Sequence, residues 1–393
     1  MTLVVLGADA AVARAAATLP VEVVHVRLPG AAPLDVPAAA HLTADYQHGP
    51  TFRAFVDEVL RPLAPEAVVS LTELGLEPAA LAARRLGAAG APPEVVRATR
   101  DKLEMRRVLE RAAPHLNPPF AAGDDAEAVA RLFGPPGAVL PVVAKPVAGT
   151  GSNAVLLLRA PGDLPDDRRN RATLLERYVD GREFSVETLS SGGRHTCLGI
   201  AEKRTEGEAF VEVAHLMPPP SLDAAGRRRV ERAVTELLDA VGLTDGPAHT
   251  EVKVDGDRVT VIETHNRPGG DGIPDLVRLT RGIDWRRAAL GWPVGVGPCE
   301  EPARAAAAAT VFVTAPPGRV TAVAPPPAPA AWRLEHWDVP VEPGDPVTPL
   351  RSSADRLGTA LLTADGADAC AAAVDELRSR GTVTTHTPEE EGP

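Results

Sequence analysis

Residues 142 to 160, VVAKPVAGTGSNAVLLLRA, set Gly149, Gly151 and Ala154 between two short apolar runs, and this arrangement limits the fold more than any other stretch of the chain. The order G-x-G-x-x-A spells a dinucleotide-binding turn, which must open into a helix whose N-terminal amides receive a pyrophosphate. Here the glycines lead instead into Ala154-Val155-Leu156-Leu157-Leu158, closed by Arg159 and then Pro161-Gly162, which reads as a strand. No G-K-[ST] follows, so a P-loop is excluded as well. The stretch is strand, glycine loop, strand, with Lys145 just before Pro146 on the first strand. A flexible hairpin that carries a lysine is a different kind of phosphate clamp.

The rest of the chain divides around this hairpin. Strands at Leu3 to Gly7, Val21 to Leu28 and Ala67 to Thr72 alternate with helices at Ala10 to Leu19, Thr51 to Leu63 and Pro78 to Leu86. That rhythm predicts a small doubly wound parallel sheet ending near Gly90-Ala91-Pro92-Pro93. Thr99 then caps a helix that stops at Pro114. Beyond it the pattern becomes hairpins: Val139 to Ala148 with Ala154 to Arg159, Phe184 to Leu189 with Thr196 to Glu202, and Val252 to Val254 with Val259 to Ile262. A helix from about Ser221 to Val241 interrupts them, an extended stretch TVFVTAPPGRV follows Pro298, and a last helix spans about Asp368 to Arg380. The fold class is therefore α/β plus α+β, and the polar tail from Thr384 is expected to fray.

Composition narrows the function. A formal net charge of −12 over 393 residues argues against a nucleic-acid or membrane-surface binder, although local cations can still form an anion pocket. Cys197, Cys299 and Cys370 are widely spaced and support neither a disulfide framework nor a thiolate zinc site. No apolar run reaches the roughly 18 residues of a spanning helix, and the first residues lack a basic leader, so a cytoplasmic location is expected.

The strongest chemical signal is HTEVKVDGDRVTVIETHNRPGGD, residues 249 to 271. If Asp255, Gly256 and Asp257 form a three-residue loop, Val254 pairs with Arg258, Glu251 lies opposite Val261 and His249 opposite Glu263. Glu251 and Glu263 are then diagonal neighbours on one face, roughly 7–8 Å apart, close enough to hold one hard cation or a pair of them. A two-residue loop would put them on opposite faces. A charge at Lys145, on a strand between Ala144 and Pro146, likewise asks for a partner.

In order along the chain stand Lys102 in RDK, Lys145 in AKP, the GTGSN loop, LLERYVDGREFSVE, AEKRT, HTEVKVD and VIETHNRPGGD. This series resembles the ATP-grasp superfamily, and most closely its carboxylate–amine ligases of the L-amino acid ligase kind. PPGRV, VEPGDPVTPLRSSADRLGTALLTA and the closing helix are similar to the C-terminal lobe of that subgroup. The resemblance implies an N-terminal Rossmann-like domain over 1–95, two ATP-grasp subdomains over 96–180 and 181–298, and a C-terminal lobe over 299–393. It implies ATP and Mg2+ as cofactors, small-molecule carboxylate and amine substrates, no nucleic-acid or membrane partner, and room for a homodimer.

Roles follow from the same resemblance. Lys102 and Lys145 would contact the ATP phosphates, and the amides of Gly149, Thr150, Gly151, Ser152 and Asn153 would close over them. Glu176 would meet the adenine amino group, the backbone of Arg177, Tyr178 and Val179 the ring edge, and Glu183 the ribose. Glu251 and Glu263 would hold magnesium, and Arg267 would stabilise the transferring phosphoryl group. The superfamily usually has asparagine two residues after the second metal glutamate, where this chain has His265 followed by Asn266. Either Asn266 ligates the metal, or His265 faces the substrate, or metal binding is altered. Lys203, His215, Gly269, Gly270 and Asp271 are substrate-side candidates, and His215 reads equally well as a core histidine. Ala154 stands where glycine is common and would stiffen the loop slightly.

The implied reaction joins a carboxylate to an amine through an acyl phosphate, with release of ADP and phosphate. Two rivals remain at this level: a carboxylating or formyl-transferring ATP-grasp enzyme, and an ATP-binding sensor without catalysis.

Overall fold

A computed structural model describes residues 1–135, 140–149, 151, 154–326 and 331–386. The N-terminal alternation builds a parallel sheet from β1 (Thr2–Leu6), β2 (Glu22–Arg27), β3 (Ala40–Thr43) and β4 (Ala67–Ser70), in the order β3-β2-β1-β4. Its central strand is buried on both faces. Leu3 and Val5 pack with Val12 and Ala16 of the helix Ala10–Ala16, whereas Val4 and Leu6 pack with Phe52 and with Ala79 of the helix Leu76–Leu86. That is the double winding expected from the sequence. Strand β3 escaped notice because AHLT is short and only partly buried.

The expected helix capped by Thr99 is two helices. Pro93–Arg100 ends at Asp101, whose extended backbone breaks the run and whose carboxylate accepts the amide of Glu104 at 2.9 Å, capping Lys102–Ala112. Thr99 is buried inside the first helix, its hydroxyl turned back to the carbonyl of Val95 at 3.0 Å.

A second sheet of four antiparallel strands, β5 (Phe120–Ala122), β6 (Val142–Pro146), β7 (Leu156–Leu158) and β8 (Thr173–Arg177), runs in the order β5-β8-β6-β7. The glycine loop joins β6 to β7, as read from the sequence. The body of the protein is one antiparallel sheet of eight strands. It contains β9 (Arg182–Ser191), β10 (Arg194–Glu206), β11 (Val211–Met217), β12 (Gly246–Asp255), β13 (Arg258–His265) and β14 (Ala307–Val313). After β15 (Gly318–Val323) come β16 (Trp332–Asp338), β17 (Pro346–Val347), β18 (Gly358–Ala364) and β19 (Val383–His386). The large sheet has the order β13-β12-β9-β10-β11-β14-β18-β16, so strands from beyond residue 299 complete a sheet begun before it.

The remaining three strands form a small sheet, β17-β15-β19. The expected fraying does not begin at Thr384: Val383–His386 pairs with β15, and the hydroxyls of Thr321 and Thr384 lie 2.9 Å apart, while the rest of that tail, 387–393, lies outside the described residues. No helix among the described residues is long and apolar enough to cross a membrane.

One buried group in the N-terminal sheet makes stability depend on pH. The His25 ring on β2 is fully buried, stacks on His41 and finds no hydrogen-bond partner among the described residues. Burial, with His41 and Arg27 nearby, lowers its pKa from 6.5 to about 4. The folded state therefore refuses a proton that the unfolded chain accepts. This stability is complete above the unfolded pKa and falls away as pH drops toward the folded one, by about 3 kcal/mol. Urea titrations of the protein and of His25→Phe across that interval should show a steeper acid loss in the parent. Parallel curves would remove His25 as the cause.

Candidate active site

The hairpin of β12 and β13 sets the centre of the site. Its loop is two residues, Gly256 and Asp257, with Asp255 opposite Arg258 and Val254 opposite Val259. Alone, that register turns Glu251 and Glu263 to opposite faces. Beyond the pair Val252 and Val261 the register shifts by one, so Ile262 is the extra residue of a β-bulge and Glu251 lies directly opposite Glu263. The expected three-residue loop and diagonal pairing are thus corrected, and it is the bulge that brings both carboxylates to one face. Arg106 grips it: Nη1 donates to the carbonyl of Val261 and Nη2 to that of Ile262, each at 2.8 Å. The same fully buried guanidinium donates through Nε to Glu176 and through Nη1 to Asn117 Oδ1 at 3.2 Å.

Lysines face these acids. Lys102 Nζ lies 3.0 Å from Glu263 Oε2 and donates to the carbonyl of Gly149 at 2.8 Å, which ties the glycine loop to the acidic pair. Lys145 Nζ is 2.7 Å from Glu176 Oε2, and both side chains are buried. Lys203 is surrounded by three carboxylates, Glu251 at 2.7 Å, Glu183 at 2.9 Å and Glu212 at 3.2 Å. Its three N–H donors are matched one to one, so it ties the three carboxylates together.

Burial would raise the pKa of Glu176, Glu251 and Glu263, but the cations beside them outweigh it. Lys102 and His265 hold Glu263 well below the usual carboxylate range, and Lys203 and His249 bring Glu251 to about 2 against the opposing charge of Glu263. Burial would lower Lys203, yet Glu183, Glu251 and Glu212 push it well above its ordinary value. His249 is likewise raised to about 9 by Glu187 and Glu251 against burial. At neutral pH the site is a lattice of paired charges.

These groups line one cavity of about 290 Å³. At one end Tyr178 and Phe210 stack at 5.6 Å, and Lys253 Nζ sits 4.6 Å above the Tyr178 ring while donating to the carbonyl of Val179 at 3.0 Å. The amides of Arg177 and Tyr178 are already bonded to the carbonyls of Pro119 and Pro141. That leaves Val179 as the one of the three whose amide has no acceptor among the described residues. Glu176 lines the cavity with one oxygen accepting from Arg106 and the other paired with Lys145. Glu183 faces the cavity, held by Lys203. Gly149 and Gly151 adopt φ of 138° and 74°, and Ala154 shares the left-handed region at 57°. Thr150, Ser152 and Asn153 lie outside the described residues.

At the other end Arg267 donates through Nε to Glu73 Oε2 at 3.0 Å and through Nη1 to the carbonyl of Pro268 at 2.9 Å. His265 bridges two acids, Nε2 to Glu263 Oε1 at 3.1 Å and Nδ1 3.1 Å from Glu73 Oε2. Asn266, just past β13, does not line the cavity; its Oδ1 lies 3.2 Å from the Thr99 hydroxyl. His215 lines the cavity, buried, with Nε2 3.9 Å from Asp271 and its ring edge-on to Phe312. Gly270 and Asp271 also line it, whereas Gly269 is packed behind, where an added Cβ would fall 2.7 Å from His249. Its amide donates to Glu187, which also accepts from His249 and from Trp285.

Several groups were missed by sequence reasoning. Arg356, from the C-terminal segment, forks onto Asp271 at 2.9 and 3.0 Å, and Ser353 donates its amide to the carbonyl of Gly151 at 3.3 Å and its hydroxyl to Glu212 at 3.1 Å. Glu73, Glu187, His249 and Glu212 complete the inventory; Glu187 closes the LLERYVDGREFSVE stretch and His249 opens residues 249 to 271, yet none of the four was given a role in the site.

The acidic pair suits a hard cation: two ionised carboxylates face each other at the cavity, and Glu251 Oε2 has no hydrogen-bond partner among the described residues. No set of three or more His, Cys, Asp or Glu side chains arranged around a metal occurs among the described residues. Magnesium retains waters and substrate oxygens, so two protein carboxylates satisfy it.

Residues 138–275 match the ATP-grasp domain family, and residues 311–386 match the L-amino acid ligase C-terminal domain 2. The chain is 29% identical over 262 residues to carnosine synthase 1 of Gallus gallus, covering 61% of this chain and 28% of that protein. It is 24% identical over 270 residues to alanine–anticapsin ligase of Bacillus amyloliquefaciens, covering 60% and 56%. The chain thus spans from about a quarter to just over half the length of these curated relatives. Among solved structures, the L-amino acid ligase from Bacillus licheniformis superposes with a TM-score of 0.79 at 20% identity over 99% of both chains. Phosphoribosylglycinamide synthetase from Anaerococcus prevotii gives 0.69 at 15% identity over 98% and 99%.

Proposed function

Because this chain has the ATP-grasp fold, with an ATP-grasp domain and an L-amino acid ligase C-terminal domain, we propose that it is an ATP-dependent carboxylate–amine ligase that forms an amide or peptide bond. The observation that carries the reading is the opposed pair Glu251 and Glu263 with Lys102 and Lys145 facing the same cavity. A triphosphate needs such an arrangement of cations and a metal site, and phosphoryl transfer rests on positioning and charge neutralisation more than on a nucleophilic side chain.

In this scheme Lys102 and Lys145 bind the phosphates, and the stacked Tyr178 and Phe210 with the amide of Val179 offer a nucleobase platform. Glu251 and Glu263 would hold Mg2+, which when bound neutralises phosphate charge. Arg267 directs its remaining guanidinium nitrogen at the phosphoryl group. A substrate carboxylate oxygen attacks the γ-phosphorus, the bond to the β,γ-bridging oxygen breaks, and ADP leaves. The amine then attacks the acyl carbon, phosphate departs, and the amine proton passes to solvent. The substrates proposed are a small carboxylate, most simply an amino acid, and a small amine, held between His215, Asp271 and Gly270.

The test is phosphate release from Mg·ATP across amino acids offered singly and in pairs, with mass spectrometry of the mixtures that respond. Release that requires two amino acids and yields their dehydrated mass supports the ligase. Release driven by formate or bicarbonate alone would replace it with the formyl-transferring or carboxylating alternative, and nucleotide binding without any turnover would favour the sensor.

A further inference from the structure

We propose that Glu73, contributed by the N-terminal parallel-sheet domain, is the positioning residue that fixes Arg267 at the cavity. It lies in the turn that leaves the carboxyl end of β4, the edge at which open parallel sheets present groups to ligands. That turn is locked. Ser70 Oγ donates to the carbonyl of Leu6 at 2.9 Å and accepts the amide of Thr72 at 3.1 Å, and Gly75 has no room for a side chain because a Cβ there would fall 2.3 Å from Ser70 Oγ.

From this fixed backbone the carboxylate meets two guanidinium groups and an imidazole, one guanidinium from the helix Pro93–Arg100 and the other two groups from the end of β13 and the residues just after it. Arg100 Nε reaches Oε1 at 2.8 Å, Arg267 Nε reaches Oε2 at 3.0 Å, and His265 Nδ1 lies 3.1 Å from the same oxygen. Burial would raise the pKa of Glu73, but His265, Arg267 and Arg100 hold it far below the usual carboxylate range. Arg267 is therefore gripped at Nε by Glu73 and at Nη1 by the carbonyl of Pro268. Its Nη2 has no partner among the described residues, and Arg267 lines the cavity.

A guanidinium is planar, so fixing two of its nitrogens fixes the direction of the third. An ordinary ion pair between domains would need only Arg100, which also reaches Glu77 at 3.2 Å. The hydrogen bond from Arg267 Nε to Oε2 makes Glu73 part of the site's alignment. The inference rests on the proposed role of Arg267 toward the phosphoryl group, and its test separates the two.

The experiment compares the full chain with Glu73→Gln, which keeps the shape and removes the charge. Hydrogen exchange of the Arg267 Nε–H is followed by arginine side-chain NMR, with the signal assigned through its loss in Arg267→Lys. Slow exchange is expected in the parent and at least about tenfold faster exchange in Glu73→Gln, whether or not a substrate pair is known. Arg100→Ala is expected to leave that signal protected, and serves as the second variant should Glu73→Gln unfold. Where turnover is measurable, Glu73→Gln lowers kcat about a hundredfold with KM for ATP little changed, and Glu73→Gln with Arg267→Ala is no slower than Arg267→Ala alone. Unaltered Nε–H exchange in Glu73→Gln, exchange in Arg100→Ala as fast as in an unprotected arginine, or losses that multiply in the double variant would each overturn the proposal. Failure of the ligase reading would appear instead as absent turnover in the parent.

Discussion

Lys145→Ala lowers ATP turnover by at least about a hundredfold, the order lost when one preorganised charge contact is removed from a transition state, while the protein still melts near the parent temperature. The small structural effect follows from the pairing around it. Glu176 loses its contact to Lys145 Nζ at 2.7 Å but keeps the Nε of Arg106, so no carboxylate is left buried and unpaired. The destabilisation is then that of one hydrogen bond to a charged group, about 1–3 kcal/mol. ADP release measured beside a thermal melt checks both halves. Retained turnover would remove Lys145 from the phosphate site, and a collapsed melt would show that the ion pair serves the fold.

Arg106→Ala gives the opposite pattern, a loss of about 3–5 kcal/mol in unfolding free energy, because truncating one side of a buried ion pair strands the other. Arg106 is wholly enclosed, and its donors reach Glu176, Asn117 and the carbonyls of Val261 and Ile262. Losing it also frees the bulge that sets Glu251 against Glu263. Urea unfolding measures the first effect. Calorimetric titration of Mg2+ with an ATP analogue measures the second, and weaker metal-dependent binding is expected in whatever folded protein remains. A variant as stable as the parent would show that the bulge stands without Arg106.

The contrast between these two residues marks what the sequence could reveal. Lys145 stood out because a charge on an apolar strand beside a glycine loop is anomalous within a few residues of itself. The glycine hairpin was readable for the same reason, since strand periodicity and loop length are local properties. The acids Glu251 and Glu263 were legible as residues but not in register, because the bulge is held by an arginine 155 positions away. Glu73 and Arg356 reach the cavity from the N-terminal domain and from the C-terminal segment, and only packing brings them there. His265 and Asn266 were left undecided by spelling and differ in their surroundings, His265 lining the cavity and Asn266 packed against Thr99. Strand β19 was hidden by its polarity, which pairing with β15 at a sheet edge tolerates.

The bulge at Ile262 also bears on how such chains change length. With a two-residue loop, the strand position opposite Glu251 is the one that Ile262 would fill in an unbroken ladder. Removing that residue would draw Glu263 into the vacated place, still across from Glu251, with Val259 and Val261 undisturbed on the core side. Adding a residue there instead creates the bulge. The acidic pair is therefore buffered against a single insertion or deletion at this point, and relatives aligned through the strand should show a gap beside the second glutamate more often than a substitution of it. An alignment that forbids the gap would displace Glu263 by one position and miss the site.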